Sequence, residues 1–420
     1  MSNLVSIDIG SHKICTLIGE ALPGGSVRIH GMGHAPAEGI RRGEVVHVDD
    51  AAGAIAASIE RAERVAGIRV ERAMIGITGS HLESMGNVAQ IPLGRRPRPV
   101  THADVARLLE LAGSVPLQPG REVLHVLPSR YSIDDGGPLS SPLGMEGHRL
   151  EAEVHIVTAS ASALANVRRC LQLAEVKATG LVFSTLAAAE SCLTRDEREL
   201  GVFLVDMGAS ATGLACYRGG SLIDSAVIPV GGRHMTNDLA VLLQTPLEQA
   251  ERIKDTYGHV LPELDDEAVE IEIQPFGESV RRKTTRHHIS EVLAARADEL
   301  GRLVFDHLSR EEMLERLPAG AVLTGGATEL GGLPRRLHER WQTSVRIGRP
   351  QDVLGLGEAA RGPAHAAAVG LLQWQARGIV DAATIAPSME GAGNNTRSGV
   401  EKALAWAKAA FLPVEDRRGA

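Results

Sequence analysis

The chain has 420 residues, 44% hydrophobic and 23% charged, with 44 Lys+Arg against 52 Asp+Glu and a net charge of −8. One hydrophobic core rarely outgrows ~250–300 residues, so the length asks for two or more domains of ordinary globular composition. The acidic balance and an aromatic content of 3% argue against nonspecific binding to nucleic acid and against base-stacking platforms, so no nucleic-acid partner is expected.

Cys15, Cys170, Cys192 and Cys216 lie at no metal-site spacing and suggest no disulfide framework, which reads as small core residues in a reducing cytosol. The N-terminus enters a strand without a basic n-region or an apolar h-region, so no signal peptide is expected. No apolar run approaches the ~20 residues of a spanning helix. Membrane contact is therefore expected to be peripheral.

In chain order, apolar runs predict strands at residues 4–9, 14–19 and 26–31, a helix over 51–66 and a strand at 73–78. From His81 a Pro/Arg-rich loop leads into a helix capped by Thr101, with Asp104 at its third position. Strand, turn-rich loop and strand follow, so residues 81–161 read as an inserted subdomain. A helix (163–172), a short strand (180–183) and an Ala-rich helix (185–192) come next, and "TRDEREL" at 194–200 reads as a polar linker. The second half opens with a strand at 201–205, a strand pair turning on Gly-Gly, and a helical stretch over 236–257. "VEIEIQPFG" alternates as an exposed strand, "RRKTTRHH" (281–288) is a basic surface segment, a long helix covers 289–308, and "AVLTGGATELGGL" is a strand ending in glycines. The Gly/Ser/Asn-rich tail reads as a flexible linker ahead of a last helix, "VEKALAWAKAAFLP".

Two strands end alike, in "SIDIGSHK" and in "FLVDMGASATG". A strand released into glycines leaves backbone N–H groups free for an anion. A carboxylate beside such a loop suits a hydrated Mg²⁺ that bridges it to phosphate. Asp8 and Asp206 are accordingly the candidate metal-holding carboxylates, on two jaws around one polyphosphate. Thr324-Gly325-Gly326-Ala327 would let a nucleoside lie on bare backbone. Neither the G-x-x-x-x-G-K-[ST] P-loop nor the G-x-G-x-x-G fingerprint occurs.

"DIGSHK", "VDMGASATG" and "LTGGATELGGLP" resemble the two phosphate motifs and the adenosine motif of the actin-like ATPase superfamily. "HVLPSRYSIDDGG…EAEVHIVTAS" and "PVGGRHMTNDLA…AERIKDTYG" are similar to its FtsA branch, and the likeness runs from about Leu4 to Leu372 and resumes at the terminal helix. The resemblance implies an α/β, actin-like (ribonuclease H-like) fold, two lobes around a nucleotide cleft, with an FtsA-specific α+β insert. Residues 1–80, 162–195 and 361–380 would form subdomain 1A; 81–161 the inserted 1C; 196–231 and 311–360 subdomain 2A; and 232–310 subdomain 2B. Residues 381–399 would be the linker and 400–413 an amphipathic membrane-targeting helix. ATP and Mg²⁺ are the implied cofactors, and the resemblance makes Asp206 and Asp8 the catalytic carboxylates, Asp206 orienting Mg²⁺ and the attacking water with Asp8 across from it. Gly10, Ser11, His12 and Lys13 would line the first phosphate loop, and Gly208, Ala209, Ser210 and Thr212 the second. Gly231 and Gly232 would sit beside the phosphates, Gly325, Gly326 and Ala327 would flank adenosine, and Glu251 and Lys254 would reach adenine and ribose. Read alone, Glu251 and Lys254 are equally a surface i,i+3 pair.

Family members carry Glu-Pro ahead of the Ala-rich helix, where this chain has Ser184 and Thr185. A serine cannot take a proton as a carboxylate can, and general-base help is worth roughly 10²–10⁴ in rate. ATP binding with slow or absent hydrolysis is expected, making the chain at most a weak ATPase. Glu190, further along that helix, could compensate but is expected to point elsewhere.

At ~100° per residue, Val400, Leu404, Trp406 and Phe411 share one side of the last helix with Lys402 and Lys408 at its edges, which suits an interfacial anchor; docking back on its own domain is the other reading. The resemblance implies a scaffold on the cytoplasmic face of the inner membrane at the division septum. It would form filaments with itself, tether FtsZ filaments to lipid and recruit later division proteins. Arg281, Arg282, Lys283 and Arg286 would steer the acidic FtsZ tail, or simply belong to a solvated loop. A pilus-assembly relative and a small-molecule kinase of the same superfamily are the alternatives.

Overall fold

The computed structural model describes residues 3–264, 269–277, 281–310, 313–355 and 357–378. Two β-sheets organise them, and they are wired alike. In the first, Asn3–Ile9 runs antiparallel to Lys13–Ala21 and parallel to Arg72–Ile77. Lys177–Phe183, Val27–Pro36 and Val353–Gly355 complete six strands. In the second, Val202–Met207 runs antiparallel to Thr212–Arg218 and parallel to Ala321–Thr324. Ser221–Ile228 and Val345–Ile347 close the two edges of this five-stranded sheet.

The central strands are apolar runs because helices cover both sides of them. Ile7, Val5 and Ile9 are buried on one face of the first strand, and even Ser6 on the other is fully buried, its hydroxyl donating to the Ala368 carbonyl at 2.8 Å. Val48–Ala66 covers one face of this sheet and Ala366–Ala376 the other. All nine residues of the helix Ser184–Cys192 are buried, and its core cluster draws on strands of both sheets. It crosses Ala366–Ala376 so closely that a Cβ on Gly370 would lie 1.7 Å from the Ala187 carbonyl oxygen.

The insert is a three-stranded antiparallel sheet, with Arg149–Ser160 between Leu82–Pro92 and Arg121–Ile133. The helix His102–Gly113 covers it, and opens with a Thr101–Asp104 capping box that Arg98 clamps through both carboxylate oxygens. The insert is tied to the rest of the chain by polar contacts. Ser129 donates to the Leu222 carbonyl at 2.6 Å, His155 meets the Ser225 hydroxyl at 2.8 Å, and the His125 Nε2 accepts from the Phe183 amide at 3.0 Å.

Several elements differ from expectation. "TRDEREL" is not a linker but the helix Arg195–Leu200, closed by a Thr194–Glu197 capping box. Its Arg198 stacks on Tyr217 with the guanidinium 4.5 Å from the ring centre, and Arg346 grips Glu197 with two hydrogen bonds. The helical stretch over 236–257 is two helices, Gly232–Leu243 and Leu247–Tyr257. Gln244 takes a left-handed φ of 52° between them, and Pro246 starts the second helix with no N–H to lose. Val353–Gly355, grouped by sequence with subdomain 2A, instead adds to the first sheet beside Val27–Pro36. The "VEIEI" segment buries Ile271 and Ile273 and pairs antiparallel with Arg282–Thr285, so the basic segment is part strand, and its last three residues open the helix Arg286–Arg310.

Candidate functional site

A cavity of about 940 Å³ opens between the two sheets, at the strand ends where the repeated motifs lie. The repetition extends to the hairpins themselves. Asp8 pairs across its ladder with Cys15 and Asp206 with Gly213, each seven residues on. Gly10 and Gly208 follow each aspartate by two, and a Cβ on either would crowd the carbonyl oxygen three residues later, at 2.7 Å from Lys13 and 3.0 Å from Ala211. Two tight turns of one design thus present their backbones to the same space.

Asp8, Gly10, Ser11, His12 and Lys13 line this cavity from one sheet, and Asp206, Gly208, Ala209 and Ser210 from the other. Gly232, Glu251, Lys254, Gly325, Gly326 and Ala327 line it as well. At Gly325 the backbone has φ of 88°, and a Cβ would fall 2.5 Å from the Met207 carbonyl oxygen and 2.7 Å from Asp206 Oδ1. Only glycine suits that place.

Two expected members fall outside. Thr212 is fully buried and spends its hydroxyl on the Val230 carbonyl at 2.7 Å. Gly231 lies behind the second loop, where a Cβ would meet the Gly208 carbonyl oxygen at 2.5 Å. The amides of Gly232 and Arg233 are already bonded to the Gly208 and Ala209 carbonyls at 3.0 and 2.7 Å. This strand end buttresses the loop from behind.

Ser184 and Thr185 hold the two carboxylates. Ser184 Oγ donates to Asp8 Oδ1 at 2.8 Å, and Thr185 Oγ1 reaches Asp206 Oδ2 at 3.4 Å. Both aspartates are otherwise poor in partners. Burial raises the Asp8 carboxyl above its ordinary range despite Ser184 and Lys13. Burial, with the charge of Asp8 adding to it, pushes Asp206 up to about 7. Glu190 is turned away and occupied, by Arg198 at 2.7 Å and Arg377 at 2.9 Å.

Glu251 and Lys254 bond each other at 2.6 Å, and Thr236 binds both, donating to the glutamate and accepting from Lys254 at 2.9 Å. Burial acts to raise Glu251, but these two hydrogen bonds outweigh it and hold the carboxyl below its ordinary value. They form an anchored network rather than a loose surface pair. Thr236 and Arg233 escaped sequence reading. Arg233 spans the cleft to the Ser11 carbonyl at 3.3 Å, and only the helical period from Gly232 could have pointed either one inward.

In the basic segment, Arg281 pairs with Glu272 at 2.7 Å and Lys283 with Glu270 at 2.5 Å, across the antiparallel strand pair. Arg286, the first residue of the helix, donates to the Tyr257 carbonyl at 3.3 Å, and Arg282 stands in the strand beside Lys283. The charges of Arg281 and Lys283 are answered locally. Val400, Lys402, Leu404, Trp406, Lys408 and Phe411 lie outside the described residues, among which no helix is long and apolar enough to cross a membrane.

The family model for Cell division protein FtsA matches residues 203–370, and that for the SHS2 domain inserted in FTSA matches residues 79–158. The cell division protein FtsA of Pseudomonas aeruginosa is 36% identical over 371 residues, covering 88% of each chain. Among solved structures, a PilM-PilN type IV pilus biogenesis complex superposes with a TM-score of 0.63 at 18% identity, covering 88% of this chain and 97% of that one. MreB5 of Spiroplasma citri bound to ADP superposes with a TM-score of 0.54 at 13% identity, covering 90% and 98%. The structural likenesses establish the actin-like fold, and the sequence identity over nearly the whole length establishes more: the chain belongs to the FtsA family of cell-division proteins.

Proposed function

We propose that this chain binds ATP with Mg²⁺ in the cavity between its two sheets and uses the nucleotide as a clamp, with slow or negligible hydrolysis. The observation that carries the reading is the pair of buried carboxylates, Asp8 and Asp206, which face one cavity with a hydroxyl each; burial disfavours both charges, and the charge of Asp8 further disfavours that of Asp206. Buried like charges of this kind are answered by a cation. Asp8 and Asp206 would hold Mg²⁺, which when bound would offset their charge and that of the phosphates. Gly10–Lys13 and Gly208–Ser210 would receive phosphate oxygens, Gly325–Ala327 the nucleoside, and Glu251 and Lys254 the ribose and base. The likeness to an ADP-bound actin-like protein supports the same choice of ligand. Ser184 supports slow turnover, because it bonds Asp8 where the family has a carboxylate, while Glu190 is engaged by two arginines.

On this reading the chain is a scaffold at the cytoplasmic face of the inner membrane. It forms filaments with itself and engages the FtsZ tail through residues 232–310. Residues 400–413 anchor it to lipid, and later division proteins are recruited on it. Few large apolar groups stand on that last segment, so single-chain lipid binding is weak and filament avidity strengthens it. Vesicle pelleting with and without residues 400–413, with and without ATP, tests the scaffold. Loss of pelleting on truncation is expected, and equal pelleting of both forms refutes the anchor. Turnover of many ATP per minute refutes the clamp.

A further inference from the structure

Three side chains behind the first loop converge without any role in the nucleotide cavity. Cys15 and His34 are direct partners across the antiparallel ladder of Lys13–Ala21 and Val27–Pro36, so both leave the same face of the sheet. His365 comes from the turn Pro363–His365 above that face. One ligand atom of each, the Cys15 Sγ and a ring nitrogen of either histidine, lies within 4.8 Å of the other two. We propose that Cys15, His34 and His365 form a binding site for one borderline-soft divalent cation of the zinc class.

The histidine geometry is the main argument. Their Nε2 atoms face each other at 3.3 Å. Tetrahedral zinc with Zn–N bonds of ~2.0–2.1 Å sets two nitrogens roughly 3.3–3.4 Å apart, so the pair already has the bite of a tetrahedral ion. The ring planes, tilted by 39° with centroids 5.1 Å apart, do not stack. The hydrogen bonding is oversubscribed as well. His365 Nε2 meets both His34 Nε2 and the Lys13 ammonium, the latter at 3.2 Å, yet an imidazole nitrogen offers one lone pair. A cation accepts both Nε2 lone pairs at once. Cys15 is buried beside them and supplies the soft third ligand. Its thiol proton leaves to solvent as the metal–sulfur bond forms, so one proton is released per metal bound.

Lys13 opposes the cation. An ammonium 3.2 Å from a ligating nitrogen must swing away when the site fills, toward the cavity that Lys13 also lines. Metal uptake and anion binding are thereby linked through one side chain, and by reciprocity each favours the other. This link rests on the nucleotide reading; the cation site itself does not.

The test uses the full-length, chelator-treated chain without nucleotide. Co²⁺ serves as the spectroscopic probe, and Zn²⁺ competes against a chromophoric chelator. Expected are one Co²⁺ per chain with tetrahedral d–d bands, a thiolate charge-transfer band that Cys15→Ser abolishes, and one proton released. His34→Gln and His365→Gln should each weaken zinc at least tenfold, and Lys13→Met should tighten it several-fold. An octahedral spectrum without a charge-transfer band overturns the proposal. Should Cys15→Ser fail to fold, unchanged zinc affinity in both His365→Gln and Lys13→Met does so too. Loss of ATP binding in the Asp206→Asn variant leaves this outcome untouched, so the two readings fail separately.

Discussion

Replacing Asp206 by Asn should stabilise the chain in the absence of magnesium and nucleotide, and abolish the stabilisation those ligands give. Burial, then the charge of Asp8, raises the Asp206 carboxyl from 3.8 to about 7. The folded state therefore holds a proton that the unfolded chain has lost between these pH values. For an acid raised in this way, its contribution is fully present below pH 3.8 and is lost as pH rises toward 7. One pKa unit is ~1.36 kcal/mol, so ionised Asp206 costs about 4 kcal/mol at pH 8 as an upper figure. Asparagine keeps the shape and escapes the charge. The assay is thermal melting of both proteins in EDTA from pH 4 to 8. The curves should coincide near pH 4 and diverge with pH, the variant ending several degrees higher. With Mg-ATP at ~100 times its Kd, the wild type should regain about 2.7 kcal/mol and the variant little. Parallel curves from pH 4 to 7 in EDTA would refute the claim that burial and the charge of Asp8 disfavour ionised Asp206.

Ser184→Glu should raise ATP turnover by up to ~10²-fold, read by phosphate release under saturating ATP; a folded, ATP-binding variant with unchanged turnover removes Ser184 as the reason for slow hydrolysis. Glu190→Gln leaves the buried Arg198 and its neighbour Arg377 without their shared carboxylate and should cost about 3–5 kcal/mol in chemical denaturation, whereas a loss under 1 kcal/mol would mean that water reaches the pair. Gly370→Ala places a methyl 1.7 Å from the Ala187 carbonyl oxygen and should destabilise by about 1–3 kcal/mol or more; an unaltered melting temperature would show that the two helices can separate freely.

Much of the fold was legible because both faces of its central strands are covered. Val202–Val205 is an unbroken apolar run and Leu4–Ile7 is interrupted only by the buried Ser6, so the aspartate that follows each stands out. Other features hid because tertiary partners created them. "TRDEREL" looks like a linker by polarity, yet its helix is held by Arg346 from a strand ~150 residues away and by the stacking of Arg198 on Tyr217. In the 236–257 stretch Pro246 is a sequence signal for the break, but the turn itself, at a left-handed Gln244, is visible only in the backbone. Thr212 carries the expected motif spacing but points behind the loop, since alternation along a strand sends every second side chain away from the cleft.

The same alternation explains the cations and carboxylates around Asp8. On the strand that returns from the first loop, Lys13 and Cys15 lie two apart and share a face, and His34 joins them from the neighbouring strand. Cysteine spacing along the sequence gave no hint of a ligand set, because the ladder, not the local sequence, brings Cys15 to His34. In the second hairpin the position equivalent to Cys15 is Gly213, where a Cβ would lie 1.8 Å from Thr185 Oγ1. The two jaws thus share a backbone design but not a side-chain design. One leaves room for Thr185 to approach Asp206, and the other carries a thiol. The duplication supplies two backbone turns of one design facing one cavity, and the departures from symmetry are where this chain's own chemistry must be sought.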